Sequence, residues 1–589
     1  MRTEIHAHLK RVLCGGVLAF SLVALSSPAA RDENIPPDRC LSWSRAFIGA
    51  PGGIPNRTDI YCNVRVFIPG SALVAKGDNT TDDSTALNAA IASCPPNKVV
   101  YIPAGDYVCY HPLNIVKDNI TIRGEGSKTA LRGRLKNPSW ALITLGGYLI
   151  NSTDYLPVTT GATRGSTKVV VTAVPEGVSR DRATILLSQG NDYPYVRRLI
   201  YTTKRVPDPV GTNIMSLTAW VTGTTATSIS FWPPLPFDLN NGPVSYKYFA
   251  GRGAMGTGLE DLKVVCDTPA TFNISFDRCY GCWIKNIESA NTSQAHIYAV
   301  RSVCCEFRDS YVHDFFGAGG GNNGEGIELY ADCSGCLIEN NIIQHCFPGI
   351  NTSGNSSGNV IAYNYGCDSR SGSTVIGNDF DANHGPHNVM NLWEGNVGTM
   401  FQSDGYYGSA SHITVFRNFF SGVHRGGLTQ HRICVDLTHW STFFNIVGNV
   451  LGVSGWRDAG ANTPSGLYFS NERNFSEQLP TIYRFGFPNM GNNDYTDVST
   501  NPTPERMNDR DDNVLATTLL LGNFDYFHNA TVNPVKTLSP SLFYTATPDW
   551  WPSEIPWPPI GPDLKPLVSK IPAQLRFEFL VQASGQTSH

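Results

Sequence analysis

The sequence predicts an all-β fold, a parallel β-helix, and three observations predict it. Four segments superpose rung on rung: Asn273-Ile-Ser…Cys282-Trp-Ile-Lys-Asn286, His296-Ile-Tyr…Cys305-Glu-Phe-Arg-Asp309, Ile327-Glu-Leu…Cys336-Leu-Ile-Glu-Asn340 and Ile350-Asn-Thr…Asn359-Val-Ile-Ala-Tyr363. The steps from Cys282 to Cys305, Ile327 to Ile350 and Cys336 to Asn359 are each 23 residues, and the step from Cys305 to Cys336 is 31, one turn with an added loop. The runs are short and rich in β-branched residues, and Gly, Asn, Asp and Ser separate them. A period in the twenties with this punctuation is that of a solenoid whose strands stack about 4.8 Å apart. Its outer face is a long groove suited to a chain-like ligand.

The elements follow in order. Residues 1–30 have the form of a secretory signal: Arg2, Lys10 and Arg11, an apolar run from Val12 to Leu25, then small residues at Ser27-Pro-Ala29-Ala30. The run is too short to span a membrane comfortably, so a secreted, extracellular protein with no membrane partner is expected. Residues 31–154 hold a Pro/Gly-rich lead, a helix and the first coils. In Gly77-Asp-Asn-Thr-Thr-Asp-Asp-Ser-Thr-Ala-Leu-Asn-Ala-Ala-Ile91, Thr81 or Asp82 is the expected N-cap, and Ala86, Leu87, Ala90 and Ile91 form one apolar helical face. This helix caps the open end of the first coil. Strands follow at Val99-Val-Tyr-Ile-Pro-Ala-Gly-Asp-Tyr107 and Ile120-Thr-Ile-Arg-Gly-Glu-Gly126.

Residues 77–126 closely resemble the N-terminal signature of the pectate-lyase/rhamnogalacturonase-like right-handed β-helix superfamily. His384-Gly-Pro-His-Asn-Val-Met-Asn-Leu-Trp-Glu-Gly-Asn396, Ser403-Asp-Gly-Tyr-Tyr-Gly408 and Leu520-Leu-Gly-Asn-Phe-Asp-Tyr526 resemble blocks of secreted microbial β-helix proteins. The resemblance implies a right-handed coil and a carbohydrate substrate. It does not extend to the catalytic motifs. The Asn-Thr-Asp, Asp-Asp, Gly-His-Gly and Arg-Ile-Lys elements of polygalacturonases are missing from the solenoid, and Trp283-Ile-Lys-Asn lacks the acid and histidine of the Trp-Ile-Asp-His element of pectate lyases.

Across 155–245 the rungs give way to antiparallel-type runs such as Thr167-Lys-Val-Val-Val-Thr172 and Thr227-Ser-Ile-Ser-Phe-Trp232, read as an inserted β subdomain. The main coil is expected over 246–455, and 456–589 as its end and a wrapping segment with one last strand at Thr517–Leu521.

Composition bounds the function. A net charge of −5 argues against a nucleic-acid partner. Of 15 cysteines, Cys14 leaves with the signal, and the remaining 14 permit disulfides in an exported chain. Sequons at Asn56, Asn79, Asn119, Asn151, Asn273, Asn291, Asn351, Asn355, Asn474 and Asn529 offer glycosylation sites. Cys279-Tyr-Gly-Cys282 and Cys333-Ser-Gly-Cys336 suggest a zinc site, but the rung alignment sets them two coils apart, too far for one ion. Asn341, Asn364, Asn396, Asn418 and Asn449 recur at strand ends and are expected to stack as a structural ladder.

The dense polar block is 379–436, with five of the 14 histidines. Asp381 and Asp404 are 23 residues apart, one rung, so they are expected on adjacent coils, facing the solvent groove about 5 Å apart. One would hold a proton and the other stay ionised, the pairing glycosidic cleavage uses. His384 and His387 flank them as further catalytic candidates. Glu394, Tyr406, Tyr407, His412, Arg417, His424 and Arg425 are the substrate-binding candidates, the tyrosines for stacking and Arg417 and Arg425 for a uronate carboxylate. No cofactor or metal motif appears. The expectation is a monomeric glycoside hydrolase acting on pectin-like or other plant or microbial polysaccharide. The alternatives are a lyase, with His384, His387 or Arg417 as base and a divalent cation on the uronate, and a non-catalytic glycan-binding or adhesion protein.

Overall fold

A computed structural model describes the chain from residue 32 to 583, except 138, 148–150, 153, 177, 179–182, 190–214, 240–242, 251–252, 317–323, 372–373, 376–377, 386, 406–408, 425–430, 457–465, 471–478 and 488–509. The signal-like stretch 1–30 lies outside the described residues, as do Tyr406, Tyr407 and Arg425. No helix among the described residues is long and apolar enough to cross a membrane.

The chain is all-β, a right-handed parallel β-helix. Each coil contributes strands to two parallel sheets: one holds two short strands per coil joined by a tight corner, the other a single ladder that runs from Leu113–Ile115 and Ala141–Gly146 to Thr481–Phe487. Inward columns are apolar because nothing else fits between stacked coils. Ile284, Phe307, Ile338, Ile361, Trp393, Val415, Ile446 and Leu520 stand in register in the first sheet. Ile274, Ile297, Ile327, Ile350, Phe380, Phe401, Val435 and Tyr483 do so in the second. Burying each such side chain contributes about 1.5–3 kcal/mol.

The corner between the paired short strands is one left-handed residue. Asp261, Asn286, Asp309, Asn340, Tyr363, Gly395, Arg417, Gly448 and Gly522 all have φ between 51° and 67°, and Asn and Asp tolerate that region better than most side chains. At Gly395 only glycine fits, since a Cβ would lie 2.4 Å from the Tyr363 ring. The next residue in each later coil is an asparagine of the expected ladder. Its Oδ1 accepts the backbone N–H of its counterpart in the coil before, at 2.9–3.0 Å from Asn341 through Asn364, Asn396, Asn418 and Asn449 to Asn523.

Register places Trp283, Glu306, Leu337 and Val360 on one another, so the preceding Cys282, Cys305, Cys336 and Asn359 form successive rungs as the sequence alignment has them. In the second sheet the alignment slips by one. Ile274 and Ile297, not Asn273 and His296, stack on Ile327. The extra residue is taken up in the turn after Tyr330, where Ala331 and Asp332 both have positive φ. All 14 cysteines from Cys40 to Cys434 are buried, and no disulfide joins any of them among the described residues. Inside the coil their Sγ atoms donate to carbonyls of the coil before, as from Cys282 to Ala254 at 3.2 Å. The side chains of Asn273 and Asn351 are wholly buried, which removes both sequons as glycan sites.

The capping helix is Ser84–Ser93, with Ala86, Leu87, Ala90 and Ile91 buried. Its N-cap is Asp83, rather than Thr81 or Asp82. The Asp83 carboxylate accepts the N–H groups of Lys76 and Gly77 instead of capping the helix, while Asp82 accepts from Ser84 N.

Between Asn151 and Ala250 a seven-stranded antiparallel sheet stands outside the coil. It rests on the coil's turns: Trp220 stacks on Tyr280 at 4.8 Å, Ser216 Oγ donates to Asp332, and the Thr218 carbonyl accepts from Ser334 Oγ. Parallel pairing continues beyond residue 455, since Thr481–Phe487 pairs with Ile433–Thr438 and Leu519–Leu521 with Asn445–Val447. Residues 538–583 then cover the first sheet and end in the helix Pro572–Ala583.

Candidate functional site

The outward column of the second sheet carries the site. One residue per coil faces out in register: Ser275, Tyr298, Glu328, Asn351, Asp381, Gln402, Asp436 and Arg484. From Glu328 onward the column is polar yet buried.

Asp381 and Asp404 come together here, though not by the expected stacking. The coil between Phe380 and Phe401 is 21 residues long, so Asp381 pairs with Gln402, and Asp404 falls in the turn beyond its strand. From that turn the Asp404 N–H reaches back to Asp381 Oδ1 at 3.3 Å. Asp381 Oδ1 also accepts from Asn383 N at 2.9 Å, and Oδ2 from Asn378 Nδ2 at 3.1 Å. His384 Nδ1 lies 2.6 Å from Asp404 Oδ2. One oxygen of each aspartate and one ring nitrogen of His384 all fall within 4.8 Å of one another. These three ligand atoms are the ones that would hold a divalent cation.

The expectation that both carboxylates face open solvent is corrected: Asp381 is 0% and Asp404 6% exposed. Burial, then the neighbouring Asp404, pushes the Asp381 pKa well up, against the pull of His384 and the N–H donors. Burial works against a charge on His384, but Asp404, Glu325 and Asp381 outweigh it and raise its pKa to about 9. The cluster therefore sets an acid pushed towards its protonated form beside an aspartate paired with a histidine that favours its charged form.

Sequence reasoning missed two members. Burial raises Glu325 well above the carboxylate range, with Glu328 beside it. Burial raises Glu328 to about 7, although a hydrogen bond from Glu325 pulls the other way. Beyond this Glu325–Glu328 pairing, Oε2 of each has no hydrogen-bond partner among the described residues. Glu328 was readable: it follows Ile327 in the rung that stacks Asn351 after Ile350. An outward residue in one rung, though, looks like any other.

The remaining candidates stand elsewhere. His387 is buried with neither ring nitrogen partnered among the described residues, and the titratable group acting on it is His412, not the aspartates. His412 is half-buried, stacked on Phe443 at 5.0 Å with Nδ1 at 3.0 Å from Ser411 Oγ. Glu394 faces out from the first sheet, where residues 541–542 cover it. It accepts from Ser541 Oγ, Leu542 N at 2.8 Å and Tyr363 OH at 2.9 Å. Arg417 occupies a left-handed corner and binds Asp563 through both terminal nitrogens at 2.8 Å, with further bonds to the Ser539 and Ile560 carbonyls. Both residues are latches for the C-terminal segment and touch no groove. His424 is buried and acts on His431, which also senses Arg484.

A fold of stacked parallel coils with a buried acid–histidine cluster on one flank is the class of protein defined so far. The family model described as "Rhamnogalacturonase A/epimerase, pectate lyase-like" matches residues 72–186. That stretch holds the capping helix, the first coils and the start of the inserted sheet. No curated protein matches the chain. Among solved structures, the tailspike gp61 of Pseudomonas phage phi297 aligns at 13% identity and a TM-score of 0.45 over 69% of this chain, which spans 64% of the tailspike. The A-module of the Azotobacter vinelandii mannuronan C-5 epimerase AlgE4 aligns at 13% identity and a TM-score of 0.31, over 72% of this chain and 95% of that module. The Streptococcus pneumoniae surface adhesin PfbA aligns at 13% and 0.33, over 73% of this chain and 87% of the adhesin. Scores this low assign no activity to the chain.

Proposed function

We propose that this chain hydrolyses glycosidic bonds of a polysaccharide outside the cell, with Asp381 as proton donor and Asp404 as nucleophile. The observation that carries the reading is the close pair itself: two carboxyl groups with oxygens within 4.8 Å, one pushed towards its protonated form and the other hydrogen-bonded to His384. That spacing is nearer the roughly 5–5.5 Å of retaining glycosidases than the roughly 6.5–9.5 Å of inverting ones. Asp381 gives its proton to the glycosidic oxygen as the C1–O bond breaks, and an Asp404 oxygen bonds C1. Water then attacks C1, the ester bond to Asp404 breaks, and the water's proton passes to Asp381. The His384 imidazolium holds Asp404 in place through both steps.

The lyase reading is less well supported, because Arg417 is latched to Asp563 and His387 stands apart from the aspartates. The test is to incubate the full chain with a polysaccharide panel and follow reducing ends and the ultraviolet absorbance of unsaturated uronates. New reducing ends without that absorbance are expected. Unsaturated products would replace hydrolysis by elimination, and binding without cleavage would leave an adhesion protein.

A further inference from the structure

We propose that Asp381, His384 and Asp404 bind one divalent ion of the zinc type, and that this ion switches the hydrolytic pair off. The binding stands on the geometry of the three side chains, and the switching rests on the hydrolase reading.

The donor set selects the ion. Two carboxylate oxygens and one imidazole nitrogen lie within 4.8 Å of one another. Donors about 2.0–2.2 Å from a zinc ion stand roughly 3–4 Å apart, so small side-chain rotations bring all three onto one ion. Calcium takes roughly six to eight oxygen ligands, and magnesium keeps several waters. Asp381 is 0% exposed and Asp404 6%, and that burial leaves little space for a water-rich shell. Three protein ligands, one of them a nitrogen, suit zinc. The His384 side chain is 21% exposed, and the ion reaches the cluster along it.

The ligands are already held in place. Asn378 Nδ2 donates to Asp381 Oδ2 at 3.1 Å, and Asn383 N to Asp381 Oδ1 at 2.9 Å. Asn383 Nδ2 donates to the Asp404 carbonyl at 2.6 Å, and Asn388 Nδ2 to Asn383 Oδ1 at 2.9 Å. His384 N donates to the Thr352 carbonyl at 3.1 Å. Outer partners of this kind orient metal ligands and raise affinity. Glu325 adds a further buried carboxyl, on which both His384 and Asp404 act, and its Oε2 has no partner among the described residues beyond Glu328.

A dication supplies the counter-charge that protons otherwise supply to these buried acids. Zinc displaces the proton of Asp381 and the one that His384 shares with Asp404, so the charge of the three side chains and their ion is unchanged. The same lone pairs cannot serve zinc and sugar. With zinc bound, Asp381 carries no proton for the glycosidic oxygen, and the Asp404 oxygen cannot bond C1.

The test is calorimetry of the chelator-treated full chain with zinc chloride and with calcium chloride, then hydrolysis assays with and without zinc. One zinc per chain should bind, and calcium should bind far more weakly. Asp381→Asn and His384→Gln should each weaken zinc by at least the roughly 10- to 100-fold that loss of an outer partner costs. Melting curves without zinc show that each variant is folded, and zinc should raise the thermal midpoint of wild type and of neither variant. Substoichiometric zinc, or zinc held equally by both variants, would overturn the site. Calcium bound as tightly as zinc would overturn the choice of ion. Zinc should stop cleavage of whichever polymer is hydrolysed, and chelator should restore it. A zinc-loaded chain that still cleaves would overturn the switch. If no polymer is cleaved without zinc, the hydrolase reading falls and the switch with it, while calorimetry still decides the site.

Discussion

Nδ1 of His384 stands 2.6 Å from Oδ2 of Asp404, and Asp404 N in turn reaches Asp381 Oδ1 at 3.3 Å. A histidine thus fixes one carboxylate while that residue's own backbone fixes the other. The three cannot be perturbed independently, which sets what substitutions at the site will do.

Asp404→Asn removes the nucleophile and leaves the His384 imidazolium without its carboxylate. Activity should fall roughly 100- to 10,000-fold, and the thermal midpoint should also fall, because breaking one side of a largely buried pair is destabilising. The double variant with His384→Gln should recover the midpoint and not the activity. An Asp404→Asn protein with wild-type turnover would remove Asp404 from the chemistry.

Stability should decline with pH in two stages. Glu328 is raised from 4.5 to about 7 in the fold, so the folded state binds its proton more tightly. Stability is then lost as pH rises from about 4.5 to 7, by on the order of 3 kcal/mol. His384 is raised from 6.5 to about 9. Its contribution is complete below about 6.5 and is lost as pH rises through 9. Thermal midpoints across pH 4–10 should show both stages, with Glu328→Gln flattening the first and His384→Gln the second. A Glu328→Gln profile parallel to wild type would contradict the assignment.

The coil was legible because inward side chains must repeat: Ile327 and Ile350, or Cys282 and Cys305, are constrained by the rung above and below. Coil length is not so constrained, because loops extend freely outward. The 23-residue step that aligned Asp381 with Asp404 is 21 residues here, which is why the cluster was found by its residues but not by its register. Glu394 and Arg417 were misread for a related reason. Their partners Ser541 and Asp563 lie 147 and 146 residues away and leave no local trace.

Arg417→Ala should therefore destabilise without touching catalysis. Its guanidinium is 2% exposed and joins Asp563 and the Ser539 and Ile560 carbonyls. Losing it should cost a few kcal/mol, roughly 2–4, and expose the 538–563 stretch to protease. The kcat/KM measured below the melting transition should stay near wild type. A selective loss of activity on charged polymers at unchanged stability would return Arg417 to the substrate.

The asparagine ladder offers the sharpest test of what joins the coils. Asn396 Oδ1 accepts from both the backbone N and Nδ2 of Asn364, and its own Nδ2 donates to Ile361 O at 2.9 Å and Asn418 Oδ1 at 3.0 Å. Asn396→Ala leaves the Asn364 N–H unpaired inside the coil, at about 1–3 kcal/mol. Asn396→Asp keeps the shape but turns the donor towards Ile361 and Asn418 into an acceptor facing two oxygens. It should cost at least as much as the alanine at neutral pH and recover as acid protonates the carboxyl. Urea titrations at pH 7 and pH 4 measure both effects. An aspartate variant as stable as wild type at pH 7 would show that shape, rather than the hydrogen bonds, carries the ladder.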